Sequence, residues 1–187
     1  MATARGATCG RSAYPPGVSD RVYVMEIRAL QPNEVEAVFP LLLLAEPGEG
    51  ALRWSLDRMS DAVYGMALEG QWVGAATMRW QREPCEILEL AIAPERQGQG
   101  LGKQFVAWLV DEARRRGKKR VTVGTSNASA GNILFYQRCG FRMDHVRPDY
   151  FWYYDEPRYE HGILVRDLLV FRYDLDAGAE AQPRRRQ

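Results

Sequence analysis

Three glycines at alternate positions, Gly98, Gly100 and Gly102, follow an apolar run ending at Ile92 and lead into an amphipathic stretch that begins at Leu101. Glycine carries no Cβ and tolerates positive φ, so this spacing lets the chain turn tightly while its N–H groups stay uncovered. A helix that follows such a turn adds the positive end of its dipole to those donors. Together they make a seat for an anion, most often a phosphate. A partner carrying a diphosphate is the first that this stretch implies.

Spacing separates the known phosphate loops. The nucleotide-triphosphate loop G-x-x-x-x-G-K-[ST] needs a glycine where Gln97 stands and a hydroxyl where Gln104 stands. The dinucleotide fingerprint G-x-G-x-x-G, started at Gly98, would put its last glycine on Lys103. What remains is Gln97-x-x-Gly100-x-Gly102, entered from a strand and continued by a helix. A flexible glycine turn before a helix would read this heptapeptide equally well if it stood alone. The pattern resembles the acyl-CoA pyrophosphate loop of the GNAT superfamily of N-acetyltransferases, (Gln/Arg)-x-x-Gly-x-(Gly/Ala). Further on, Tyr136 is followed four residues later by Gly140-Phe141, which is similar to that family's second signature. One helix and one strand separate the two motifs, as in the family, and the resemblance covers roughly residues 22–175.

The resemblance implies a GNAT fold, a mixed α/β domain with a mostly antiparallel sheet flanked by helices, and acetyl-CoA as acyl donor without a metal. It implies backbone contacts to the cofactor at Leu90, Ala91 and Ile92, and pyrophosphate contacts along Gln97, Gly98, Gln99, Gly100, Leu101, Gly102 and Lys103. Many members carry an asparagine seven residues before the tyrosine; here that position is Ser129, with Asn127 and Asn132 nearby. The implied reaction is direct attack of a primary amine on the acetyl thioester in a ternary complex. An alkylammonium is neutral in only about one molecule in 2,500 at pH 7, so a proton must be removed, and the departing thiolate gains from a donor. Tyr136 suits the donor role, because a phenol keeps its proton at neutral pH. Glu86 and Glu89, on the strand entering the loop, are the candidate bases. Three residues apart on a strand, they point to opposite faces unless a bulge intervenes, so one of them is expected to reach the cleft. A backbone N–H near Leu90 or Ala91 would meet the carbonyl oxygen. His145 and His161 could also act as bases, although lone loop histidines are more often incidental. The serine at 129 leaves room for a second reading, a non-catalytic acyl-CoA sensor or structural protein of the same fold.

The acceptor implied is a small-molecule amine or a protein amine. The segment Asp149–His161 carries six aromatics and four carboxylates that could line a site for it, and could equally cover a sheet edge or form a homodimer contact. The acidic turn Glu46-Pro47-Gly48-Glu49-Gly50 adds slightly to a cationic acceptor.

These groups need a scaffold, and 187 residues suffice for one domain. A net charge of +1 gives no electrostatic argument for nucleic acid, and the chain has no apolar run long enough for a membrane span. Cys9, Cys85 and Cys139 lie far apart without metal spacing, which reads as a reduced, cytoplasmic protein. Residues 1–20 and the arginine-rich tail 177–187 are expected to be disordered, leaving a domain over 21–176. Within it the pattern predicts a strand over 22–28 and a helix opened by Pro32 and Asn33 that Pro40 kinks or ends early. A helix over 52–59 follows, then a hairpin of strands 63–68 and 72–80 and a strand over 86–92. After the glycine loop come a helix to Gly117, a strand over 120–125 and a helix ending at Gly140. The last strand is 168–175, with one further strand left open.

Overall fold

The computed structural model describes residues 24–175. The tails predicted to be disordered, the start of the first expected strand and Cys9 lie outside them. A seven-stranded sheet forms the centre, built from β1 (Met25–Ala29), β2 (Ala62–Leu68), β3 (Gln71–Arg79), β4 (Cys85–Ile92), β5 (Arg120–Ser126), β6 (Arg142–Arg147) and a last strand, Leu168–Asp174. A two-stranded hairpin, β7 (Tyr159–Glu160) and β8 (Ile163–Leu164), precedes that last strand, β9. The order across the sheet is β1-β2-β3-β4-β5-β9-β6, and β4–β5 is its parallel pair. The expected mixed α/β architecture with a mostly antiparallel sheet is the one observed.

Alternation along β3 sorts the helices onto two faces. Ala75 packs with Val38, Phe39 and Leu42 of α1 (Val35–Leu42) and Leu52 of α2 (Glu49–Arg58). Its neighbour Ala76 packs with Phe105 and Leu109 of α3 (Leu101–Arg115) and Tyr136 of α4 (Ala130–Arg138). Pro40 does not end α1. It sits on the exposed side, so the lost hydrogen bond faces water while Phe39 and Leu42 hold the helix to the sheet. The second helix starts earlier than expected, because Gly48 caps it and accepts the Leu52 N–H at 2.8 Å.

Two irregularities shape the middle of the sheet. The β4–β5 pairing covers Cys85–Val121 to Ile87–Val123 and then stops, so the strands part beyond Ile87. On the other side of β4, Ala76 pairs with Leu90 and Met78 with Ile87, so Leu88 and Glu89 together oppose Thr77. That extra residue is a β-bulge, and it rotates the rest of β4 by one position.

Candidate functional site

The parted ends of β4 and β5 open into a cleft of about 1710 Å³. Its walls are the glycine loop and start of α3, the start of α4, the α1–α2 connection, and the segment between β6 and β7.

At the loop, Gly98 and Gly100 have φ of 75° and 80°, where an L side chain would be strained. Gly102 serves a different need: a Cβ there would come within 3.2 Å of the Phe135 ring, so its absence brings α3 against α4. None of the N–H groups of residues 98–103 has an acceptor among the described residues, and the first helical bond is Gln104 N–H to the Gly100 carbonyl. These donors stand at the N-terminus of a fifteen-residue helix. A row of unpaired amides there suits a phosphate ester. The side chains of Gln97 and Gln99 serve the loop itself, donating to the carbonyls of Ile92 and Glu95 at 3.0 and 3.3 Å. Gln99, alone of residues 97–103, does not line the cleft, whereas Leu90, Ala91 and Ile92 do.

Both candidate carboxylates line the same cleft, which corrects the expectation that one would point away. The bulge at Leu88–Glu89 adds the residue that brings Glu89 to the face of Glu86. Glu86 lies 3.6 Å from Arg79. Glu89 is buried, 8% exposed, and accepts hydrogen bonds from Ser55 at 2.7 Å and from Thr77. Burial pushes its carboxyl above the ordinary range; the two hydroxyls oppose that, and the charges of Glu46 and Glu86 add to it. Nothing in the local sequence marks Ser55 or Thr77 as its partners, because they arrive from α2 and β3.

Tyr136 also lines the cleft. Gly140, at φ 91°, turns the chain after α4 so that the Phe141 N–H bonds the Tyr136 carbonyl at 3.0 Å and the two rings pack edge to face. This is the physical content of the Tyr-x-x-x-Gly-Phe spacing. The Tyr136 hydroxyl has no partner among the described residues, and burial pushes its pKa well up. Ser129 caps α4 by position, yet its hydroxyl donates to Glu160 of the hairpin rather than to the helix. Asn127 bonds the same segment, donating to the Leu164 carbonyl at 3.0 Å and accepting from the N–H groups of Arg166 and Asp167.

The aromatic segment lies on the cleft and reaches the α1–α2 connection. Tyr153 and Tyr154 donate to the Glu46 carboxylate at 3.0 and 3.3 Å, and Gly48 N–H does so at 2.9 Å. Phe151 stacks on Tyr154 with centroids 5.5 Å apart. His145 pairs with Asp144 on exposed β6 and His161 sits at the β7–β8 turn, and neither lines the cleft. No group of His, Cys, Asp and Glu among the described residues could hold a metal ion, and no helix among them is long and apolar enough to cross a membrane.

Residues 26–141 match the model of the acetyltransferase (GNAT) family. An uncharacterized N-acetyltransferase of Bacillus subtilis, YvbK, is 32% identical over 143 residues, covering 75% of this chain and 90% of its own. A GNAT family acetyltransferase from Elizabethkingia anophelis, solved with acetyl-CoA bound, superposes with a TM-score of 0.72 at 28% identity, over 80% of this chain and 97% of that one. An acetyltransferase of Bacillus subtilis in complex with CoA superposes equally well, at 0.72 and 29% identity, over 81% and 99% of the two chains. The cleft between β4 and β5, the uncovered amides at its edge and these matches converge: the chain belongs to the GNAT family of acetyltransferases.

Proposed function

We propose that the protein transfers the acetyl group of acetyl-CoA to an amine by direct attack within a ternary complex. The observation that carries this reading is the row of unpaired N–H groups at residues 98–103, beside a cleft that also holds an unpaired phenol and a buried carboxylate. Acetyl-CoA supplies the activated acetyl thioester. The amides of Gly98 to Lys103 receive its diphosphate, and the opening between β4 and β5 receives the pantetheine arm along Leu90, Ala91 and Ile92.

Glu89 takes the proton of the attacking ammonium, directly or through water. A carboxylate whose pKa is raised by burial is a better base near neutrality than an exposed one, and Ser55 and Thr77 hold it in one orientation. Glu86, balanced by Arg79, contributes charge to the cleft rather than proton transfer. Tyr136 keeps its proton at neutral pH and gives it to the departing thiolate, and the second proton, lost from the nitrogen after attack, restores the phenol. The Ser129 hydroxyl is committed to Glu160, so it holds the hairpin against the cleft and leaves cofactor contact to the α4 backbone. A cleft lined by candidates for both base and acid favours transfer over the binding-only reading.

A thiol-release assay with acetyl-CoA and a panel of small amines and peptide N-termini tests the reading. It predicts amine-dependent release of CoA, and acetyl-CoA that binds tightly without release for any amine would refute it.

A further inference from the structure

Arg158 lines the cleft between the aromatic segment and the β7–β8 hairpin. Its guanidinium stands 4.0 Å from the centroid of the Tyr154 ring, and Tyr154 reaches Glu46 through its hydroxyl. The side chain is half-buried, yet no acceptor among the described residues takes a hydrogen bond from it and no ion pair includes it. Arg79, which also lines the cleft, differs in having Glu86 at 3.6 Å. Arg82 and Arg147 also line the cleft and are more exposed than Arg158.

No acceptor within the described residues takes the hydrogen bonds of this guanidinium, so water holds them in the open cleft and an anionic ligand can take the place of that water. The planar fork of the guanidinium matches a carboxylate or a phosphonate at two points, and stacking on a tyrosine ring fixes the plane of that fork beforehand. We propose that the acceptor amine carries an anionic group, a carboxylate or a phosphonate, and that Arg158, seated on Tyr154, receives it. This rests on the acetyl-transfer reading above and names the class of acceptor. Such a molecule is held at both ends, its anion at Arg158 and its ammonium toward Glu89, whereas a plain alkylamine is held at one. A dicationic acceptor would meet Arg158 with like charge.

The test uses the full chain, acetyl-CoA and four amines of matched length: an alkylamine, an α,ω-diamine, an ω-amino carboxylate and an aminoalkylphosphonate. The carboxylate or the phosphonate is expected to exceed the alkylamine in kcat/KM by about tenfold or more, through KM, as a charge-assisted bidentate contact provides. The better of the two identifies the anion. Arg158→Gln is expected to bring that ratio to about one, and Arg158→Lys to restore part of it. A diamine or alkylamine that matches the anionic amines overturns the proposal, as does a ratio that survives Arg158→Gln. An Arg158→Gln variant whose KM rises for acetyl-CoA instead of the acceptor also overturns it, by assigning the guanidinium to the donor phosphates. Calorimetry of the anionic amines on CoA-loaded protein separates this inference from the reading beneath it. Arg158-dependent binding without any acetylation refutes transfer and upholds the anion site; alkylamine acetylation without anion preference does the reverse.

Discussion

Ser55 on α2 donates a hydrogen bond to Glu89 on β4 at 2.7 Å, joining the helical layer to the floor of the cleft. Thr77 on β3 donates to the other carboxylate oxygen, so both oxygens of a buried acid are held by neutral hydroxyls and, among the described residues, by no cation. Desolvation is the largest influence on this carboxyl and raises its pKa, while each hydroxyl favours the charged form and lowers it. The carboxyl of Glu89, the proposed base, is therefore raised by burial and tempered by two residues distant from it in the chain.

Replacing Glu89 with Gln keeps the shape and removes the proton acceptor. The expected loss in kcat is about 10²- to 10⁴-fold, the usual contribution of a general base, with little change in KM for acetyl-CoA. Steady-state kinetics decide it, and a kcat within twofold of the wild type would take Glu89 out of the reaction.

Ser55→Ala removes one donor to the ionised carboxylate. The Glu89 pKa is then expected to rise further, so the acid limb of the pH–rate profile, where the base must ionise, moves to higher pH. An unmoved limb would mean that the profile reports another group.

The same shift has a consequence for stability. Glu89 titrates higher in the folded chain than in the unfolded one, so between those two values the native state holds more protons and stability falls as pH rises. Glu89→Gln abolishes that slope. Thermal melts across the acid-to-neutral range are expected to show the variant gaining on the wild type as pH rises, and parallel curves would contradict the raised pKa.

Tyr136→Phe retains the ring that packs on Phe141 and Phe171 and removes a hydroxyl with no partner in the described residues. Folding should be unaffected and kcat should fall by about 10- to 100-fold, more than acetyl-CoA affinity does. Comparison of kcat with a calorimetric affinity separates the two, and an unchanged kcat removes the phenol from the mechanism.

Much of the proposed donor side is legible in the sequence because it is local. Gly98 and Gly100 are glycines for their positive φ, Gly102 for its contact with Phe135, and Gly140-Phe141 for the turn that seats Tyr136. The proposed acceptor side is not legible, because its contacts join distant segments. The bulge that brings Glu86 and Glu89 to one face is set by pairing with β3, and alternation along β4 cannot reveal it. Strand β6 escapes a periodicity reading because all six of its residues are exposed, at the edge of the sheet beyond β9. Arg158 looks like any surface arginine until Tyr154 is found beneath it.

If the uncovered amides at the start of α3 hold the diphosphate of CoA, then removing that diphosphate or distorting the loop must weaken binding, and calorimetry reads the loss. Titrations would compare CoA with pantetheine, which lacks the diphosphate, on the wild type and on Gly100→Val, whose side chain must adopt φ near 80°. CoA is expected to bind the wild type about 100-fold or more tighter than pantetheine, and Gly100→Val to lose most of that difference while its melting curve shows a folded protein. Equal affinity of the wild type for CoA and pantetheine, or no heat with either, would mean that these amides do not hold the diphosphate.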